Sequence, residues 1–514
     1  MAKKYDVAVL GWWYGLNYGS VLTYYSLHQA ISNLGHSILM VHEPLGYNGW
    51  RVKWGDDIMS LEFARRMGYN FTEQTHFSEL AALNAEADTF LVGSDQLWNP
   101  HIGRVNDDLF LDFVSHENKR ISYATSFGNK GVEKFKPPFV NKHKANLGEF
   151  SAISVREAYA VETAKNVFGI EATKVLDPVF LLPQEHYSEL AAKSGYQPEG
   201  NYLLIFILDP EEAKREVILS VAKKLKVDKV IVTPNPDQGR TSAEEIFHDD
   251  IFEFVPEDSP ENFLQAYKHA SYVVTDSFHG TAFSVIFEKP FSSIYNRKRG
   301  ADRFVNLLGD LGFGESRRLL LTDTDETVAE NPNIDFGIDF SMANAHLQQE
   351  RQRSLTWLDQ AIKMPKEIDT VSTFLPAFET NAPTAITIEN GPRGAQATVA
   401  DGESTKGRHV WFELPRQLRP SKIYRLHFRW SLQSDSPNVN VHLRNPKSGA
   451  FRVIGSVKSS DDPTTKGDTV DFLVKDPSST QIMLGALHLT GGTRQVTLKN
   501  VTIQEISATA WKRV

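Results

Sequence analysis

The 514-residue chain is 41% hydrophobic and 23% charged, the balance of an ordinary globular protein, which excludes disorder as its main state. At roughly 150 residues per domain, that length implies about three domains. With no cysteine it cannot form disulfides, zinc–thiolate sites, iron–sulfur clusters or cysteine nucleophiles, and 55 Lys and Arg against 64 Asp and Glu, net −9, argue against a nucleic-acid-binding surface.

No apolar run approaches the roughly 20 residues needed to cross a bilayer. The first run, Val7-Ala8-Val9-Leu10, is too short for a signal segment. The expectation is a cytoplasmic protein, with contact at the inner face of the membrane left open. The first half alternates apolar runs with helical patterns, the signature of a parallel sheet flanked by helices. Strands are predicted at residues 6–10, 37–42, 88–92, 120–124 and 152–155, with a helix over 21–34. A loop at 193–200, with two glycines and a proline, marks a boundary. The second block places strands at 202–208, 229–233, 271–275 and 291–295, and helices at 210–226 and 280–287. A long periodic stretch, 343–363, reads as a helix packing back on the first block. Beyond about Phe374 short alternating runs (409–414, 424–430, 439–443, 469–474, 481–487) separated by Gly, Pro, Asp and Ser predict an all-β sandwich. The division is 1–195, 196–340, 341–375 and 376–514.

In open α/β sheets ligands sit outside the carboxyl ends of strands. Four segments after predicted strands carry residues suited to chemistry. The first, Gly11 to Ser20, has three glycines and a helix start that offers free N–H groups to an anion; Asn17 and Tyr18 lie here. It lacks the dinucleotide spacing of glycines, and a plain turn with aromatic packing is the rival reading. The second, Gly93 to Asn99, offers Asp95 and Gln96 for sugar hydroxyls and Trp98 for an apolar face, unless it is only a capped loop. The third is Ser154-Val155-Arg156-Glu157. The Arg156 fork suits a carboxylate or phosphate, or a structural ion pair. The fourth, Thr275 to Thr281, sets His279 beside Gly280 at a helix start, after Ser277. Further on, Arg297, Lys298, Arg299 and Arg303 gather positive charge that suits an anionic ligand or forms an exposed basic loop.

Taken together, these segments resemble the polysaccharide pyruvyl transferase family over roughly residues 5–310. The pieces that carry the resemblance are Val92 to Asn99, Ile153 to Glu157, Leu176-Asp177-Pro178 and Thr275 to Thr281. The resemblance implies two Rossmann-like domains in a GT-B-like arrangement, with the β-sandwich (jelly-roll-like) outside it. It also implies transfer of pyruvate from phosphoenolpyruvate to two hydroxyls of a sugar, forming a cyclic ketal. The family's catalytic histidine falls on His279, its donor-binding arginine on Arg156, and a later basic residue on Lys298 or Arg299. Two departures stand out: Ser277 where many members have Arg, and Gly19-Ser20 where others have Gly-Asp. Donor contacts are assigned to Arg156, Ser277, His279, Gly280, Lys298, Arg299 and Arg303, and acceptor contacts to Asn17, Tyr18, Asp95, Gln96 and Trp98. His279 is the expected general acid/base. Neither a metal nor a cofactor beyond the co-substrate phosphoenolpyruvate is called for.

The acceptor is a sugar or lipid-linked oligosaccharide, and a homo-oligomer is left open. Two other readings compete: a GT-B glycosyltransferase with a nucleotide-sugar donor, and a non-catalytic carbohydrate-binding protein. In the sandwich, Trp411, Tyr424 and Trp430 are either stacking platforms for a glycan or core residues, the second being favoured by alternation.

Overall fold

The computed structural model describes all residues except 1–2, 45–54, 56, 102–106, 116–117, 129–134, 296–299, 365–371, 392–393, 400–408, 416–417, 420–421, 434–437, 459–465, 485–493 and 507–514. The chain divides into two compact units, one comprising Met1–Val114 and Asn118–Lys366, the other Ser115–Glu117 and Glu367–Val514. Among the described residues no helix is long and apolar enough to cross a membrane.

The first unit holds two parallel sheets. The first contains β1 (Tyr5–Leu10), β2 (Ile38–Val41), β3 (Ala87–Val92), β4 (Lys119–Thr125), β5 (Ala152–Val155) and β6 (Thr173–Lys174), ordered β2-β1-β3-β4-β5-β6. In register, Val7 sits between Ile38 and Thr89. The second contains β7 (Leu203–Phe206), β8 (Val230–Val232), β9 (Phe252–Phe254), β10 (Tyr272–Thr275), β11 (Phe291–Ile294) and β12 (Arg318–Leu319), ordered β12-β11-β10-β7-β8-β9. Helices cover both faces, so the central strands are continuous buried runs, as parallel sheets require. These strands agree with the predicted ones to within a few residues. The short β6, β9 and β12 lie outside the prediction because none carries an apolar run of its own.

Strand order reverses between β1 and β3 in one sheet and between β7 and β10 in the other. Such switch points open a crevice at the strand carboxyl ends. The loops after β1, β3 and β10 are three of the four segments singled out from sequence, so topology brings them to the two crevices; the fourth follows β5.

The halves share a core: Tyr18, Leu22 and Tyr25 from the first are buried with Phe206, Phe263 and Phe283 from the second. Tyr18 stacks on Phe263 at 4.9 Å between centroids, and Arg66 grips Glu261 with contacts of 3.0 to 3.1 Å. The helix Ser341–Lys363 follows the second half and buries Leu358, Ala361 and Ile362 against Val9, Ile121 and Tyr123 of the first. Its Ser354 Oγ accepts the Leu176 N–H at 3.0 Å. The body is thus two Rossmann-like domains in a GT-B-like arrangement.

The second unit is an antiparallel sandwich. One sheet runs Ile386–Gly391, Gly394–Val399, Arg494–Ile506, Ile423–Gln433, Lys466–Leu473, with Ser372–Phe374 pairing to Arg494–Ile506. The other runs Glu379–Thr380, Val410–Glu413, Gln481–Leu484, Asn438–Arg444, Phe451–Lys458. Phe412, Leu443 and Ile482 from one sheet meet Tyr424, Leu426, Trp430 and Val501 from the other in a common core. Tyr424 and Trp430 are therefore core residues and not platforms. Trp411, on alternate phase to Phe412, is half-buried.

Candidate active site

His279 opens the helix Phe278–Ile286, whose first turn is capped by Ser277 Oγ accepting from Gly280 N–H at 3.2 Å. Gly280 has no room for a side chain, because a Cβ there would lie 2.2 Å from Thr275 Oγ1. The imidazole is only 6% exposed. Its Nε2 is 2.9 Å from Thr23 Oγ1 and 3.7 Å from Asp177 Oδ2. Gly19 and Thr23 lie four apart on the helix Tyr18–Asn33 and so share a face. A Cβ at Gly19 would come within 2.3 Å of His279 Nδ1. One half of the body thus supplies the imidazole and the other the bed on which it lies.

Asp177 joins His279 to Arg156. Its Oδ1 accepts the Val179 N–H at 3.1 Å, capping a short turn over Pro178–Phe180. Its Oδ2 accepts from Arg156 Nη1 at 2.6 Å. Burial opposes ionisation of this carboxyl, but the nearby His279 ring and the Arg156 charge hold it well below the usual carboxylate range. Arg156 is buried and donates through Nε to Glu157 Oε1 at 3.0 Å, while Nη2 reaches Asp95 Oδ1 at 3.4 Å. Burial pulls its pKa down, and Glu157, Asp177 and Asp95 outweigh that and raise it. The fork is already engaged by three carboxylates, the ion-pair arrangement the sequence left as an alternative. Arg303 Nη1 lies 3.8 Å from the same Asp95 oxygen. Both guanidiniums stack over the Phe278 ring, at 4.6 and 5.5 Å. Burial and the neighbouring Arg156 charge lower the pKa of Arg303.

The remaining predicted residues fall as follows. Gln96 is buried, its amide 3.3 Å from both Arg303 Nη atoms and 2.8 Å from Asn99 Nδ2. Asn17 caps the Tyr18–Asn33 helix through Ser20 N–H at 3.3 Å. Tyr18 is buried, and its hydroxyl donates to Asp258 Oδ1 at 3.3 Å. Lys298 and Arg299, with Arg297, lie outside the described residues. Trp98 must be corrected. It is 0% exposed, packs against Phe110, Phe127 and Phe150, and donates its indole N–H to Leu109 O at 2.9 Å. A sealed ring offers no face to a sugar; apolar packing has claimed it.

Sequence reasoning assigned no role to Thr23 or Phe278, and quoted Asp177 only inside a motif. The Asp-Pro step was the one local signal, since Asp caps and Pro starts a helical turn. Among the described residues no group of three or more His, Asp or Glu side chains gathers as a metal site requires. A cavity of about 640 Å³, lined by Asp209, Lys214, Tyr295 and Arg318, lies at the ends of β7, β11 and β12. Lys214 is tied to Asp276 at 3.0 Å, next to the Ser277 cap.

Two Rossmann-like halves meeting at a shared His–Asp–Arg cluster near their strand ends define a GT-B-like body. The chain belongs to the polysaccharide pyruvyl transferase family, whose model matches residues 17–298, more than half its length. No curated protein matches it. Among solved structures it is similar to Arabidopsis thaliana UGT89C1 complexed with UDP-L-rhamnose, at 12% identity over 71% of this chain and 100% of that one, with a TM-score of 0.41. It is also similar to a mutant carbohydrate binding module of family 29, at 12% identity over 28% of this chain and 96% of that one, TM-score 0.21. A third is the N-terminal cellulose-binding domain from Cellulomonas fimi β-1,4-glucanase C, at 11% identity over 26% and 90%, TM-score 0.21.

Proposed function

We propose that the protein transfers pyruvate from phosphoenolpyruvate to two hydroxyls of a sugar in a cell-surface glycan or its lipid-linked precursor, closing a cyclic ketal. The observation that carries this reading is the meeting of His279 and Arg156, from opposite halves, on Asp177. A doubly anionic enol ester needs cations beside a proton donor. Arg156 and Arg303 flank one carboxylate, Asp95, at their longest contacts. The donor's anionic groups exchange with Asp95 and relieve the repulsion between two buried guanidiniums. Ser277 and Gly280 hold the helix start against the donor, and the Asn17-to-Ser20 turn and Gln96 face the acceptor.

His279 moves the protons. The methylene carbon gains a proton, one sugar hydroxyl adds to the central carbon, phosphate leaves, and the second hydroxyl closes the ring. The two hydroxyl protons end on the new methyl group and on phosphate, so the products are ketal and inorganic phosphate. Asp177 lies beside the imidazole ring and fixes its position.

The test is incubation with phosphoenolpyruvate and a panel of glycosides, reading phosphate release and product mass. Ketal-bearing product is expected, falling about 10²- to 10⁴-fold in His279→Ala, the range for a lost general acid/base. Release of nucleoside diphosphate from a sugar nucleotide would replace this reading with a glycosyltransferase. Near-normal turnover in folded His279→Ala would remove His279 from the chemistry.

A further inference from the structure

The outer face of the five-stranded sheet in the second unit carries side chains that the sandwich core does not use. Cross-strand register aligns Glu379, Trp411, Met483, His442 and Val453, one per strand. The next row aligns Glu413, Gln481, Arg444 and Phe451. Their alternate neighbours Phe412, Leu443 and Ile482 fill the core, so these rows lie on the other face; Met483, Gln481 and His442 at its centre are buried, while Glu379, Trp411, Glu413, Phe451 and Val453 reach solvent.

The face is organised. Trp411 Nε1–H donates to Glu379 Oε2 at 3.0 Å, Arg444 lies over the Trp411 ring at 4.7 Å, and Arg444 also bonds Gln481. Phe451 and Val453 are each 55% exposed. His442 meets the Phe451 ring edge-on at 5.3 Å. It is only 8% exposed and is held by a hydrogen bond to the Met483 backbone, so it supports the Phe451 ring from beneath.

We infer that this face is a binding site for a neutral glycan chain. Aromatic rings suit the C–H faces of sugars, and planar groups at their edges (Glu379, Gln481, Arg444) suit equatorial hydroxyls. The two rows span about 19 by 7 Å, far short of the ~800 Å² per partner that a stable protein interface buries. Glu379 and Glu413 against one Arg444 disfavour an acidic chain. The inference rests on this geometry alone, and not on the donor proposed above.

The test is affinity electrophoresis of the full chain, without donor, in gels containing hydroxyethylcellulose, galactomannan, xylan or the anionic pyruvylated xanthan. Retardation is expected in at least one neutral gel. The dissociation constant should rise at least ~10-fold in Trp411→Ala and in Phe451→Ala at unchanged melting temperature; Phe451, at an exposed position, keeps the test open if Trp411→Ala fails to fold. No retardation in any neutral gel, retardation by xanthan alone, or full binding in folded Phe451→Ala would overturn the inference. Self-association abolished by Phe451→Ala would also overturn it, assigning the face to a second copy. Because no donor is present, failure of the transfer chemistry leaves this result readable.

Discussion

At Gly19 a single methyl group would meet the imidazole of His279, at 2.3 Å from Nδ1. Gly19→Ala is therefore expected to lower stability by about 1–3 kcal/mol, since the added methyl overpacks a buried ring, while pushing the ring off Thr23 and Asp177. In the folded variant turnover should fall by roughly 10²-fold, a substantial part of the general acid/base contribution, with a changed pH profile. Unaltered kcat and pH profile would show that the close approach has no part in the reaction. Residue by residue, the sequence pointed to His279 and Arg156 because each stands in a recognisable post-strand segment, and the fold brings both onto Asp177. The sequence could not disclose Thr23 or the bridging part of Asp177, since those roles arise only when distant segments meet. Trp98 misled for a related reason: a loop tryptophan looks available until Phe110, Phe127 and Phe150 close over it.

Among elements, the strands of both sheets were legible because burial on two faces leaves unbroken apolar runs such as Leu203–Phe206. The two-residue β6 and β12 were not, as two residues carry no period. The 3–10 turn at Pro178–Phe180 shows how a minor element serves the site by fixing Asp177 at its head. The Trp98 loop fixes Asp95 and Gln96 in the same manner, by anchoring the segment in a core of rings. Trp98→Ala should lower stability by about 3–5 kcal/mol in denaturant titration. Loss of activity without loss of stability would return Trp98 to the acceptor site.

For the whole molecule, pH acts through histidines that folding keeps neutral. Burial pushes His28, stacked on Tyr69, down to about 4. Burial likewise takes His42, stacked on Tyr14, down to about 4, against a backbone hydrogen bond to Glu43. Both folded values lie below the ordinary 6.5, so the unfolded chain binds the proton more tightly. Their contribution is complete above pH 6.5 and is lost as pH falls toward 4. The melting temperature should drop across that window, and His42→Gln should flatten the slope relative to its own value at pH 8. An identical slope in the variant would place the acid sensitivity elsewhere.

The His279 imidazole and the Asp177 carboxylate beside it belong to different halves of one body. The same two halves are joined by the Tyr18–Phe263 stack and the Arg66–Glu261 pair. Any substitution that loosens that seam should therefore also pull the ring away from the carboxylate, so the integrity of the cluster depends on packing at a distance from it.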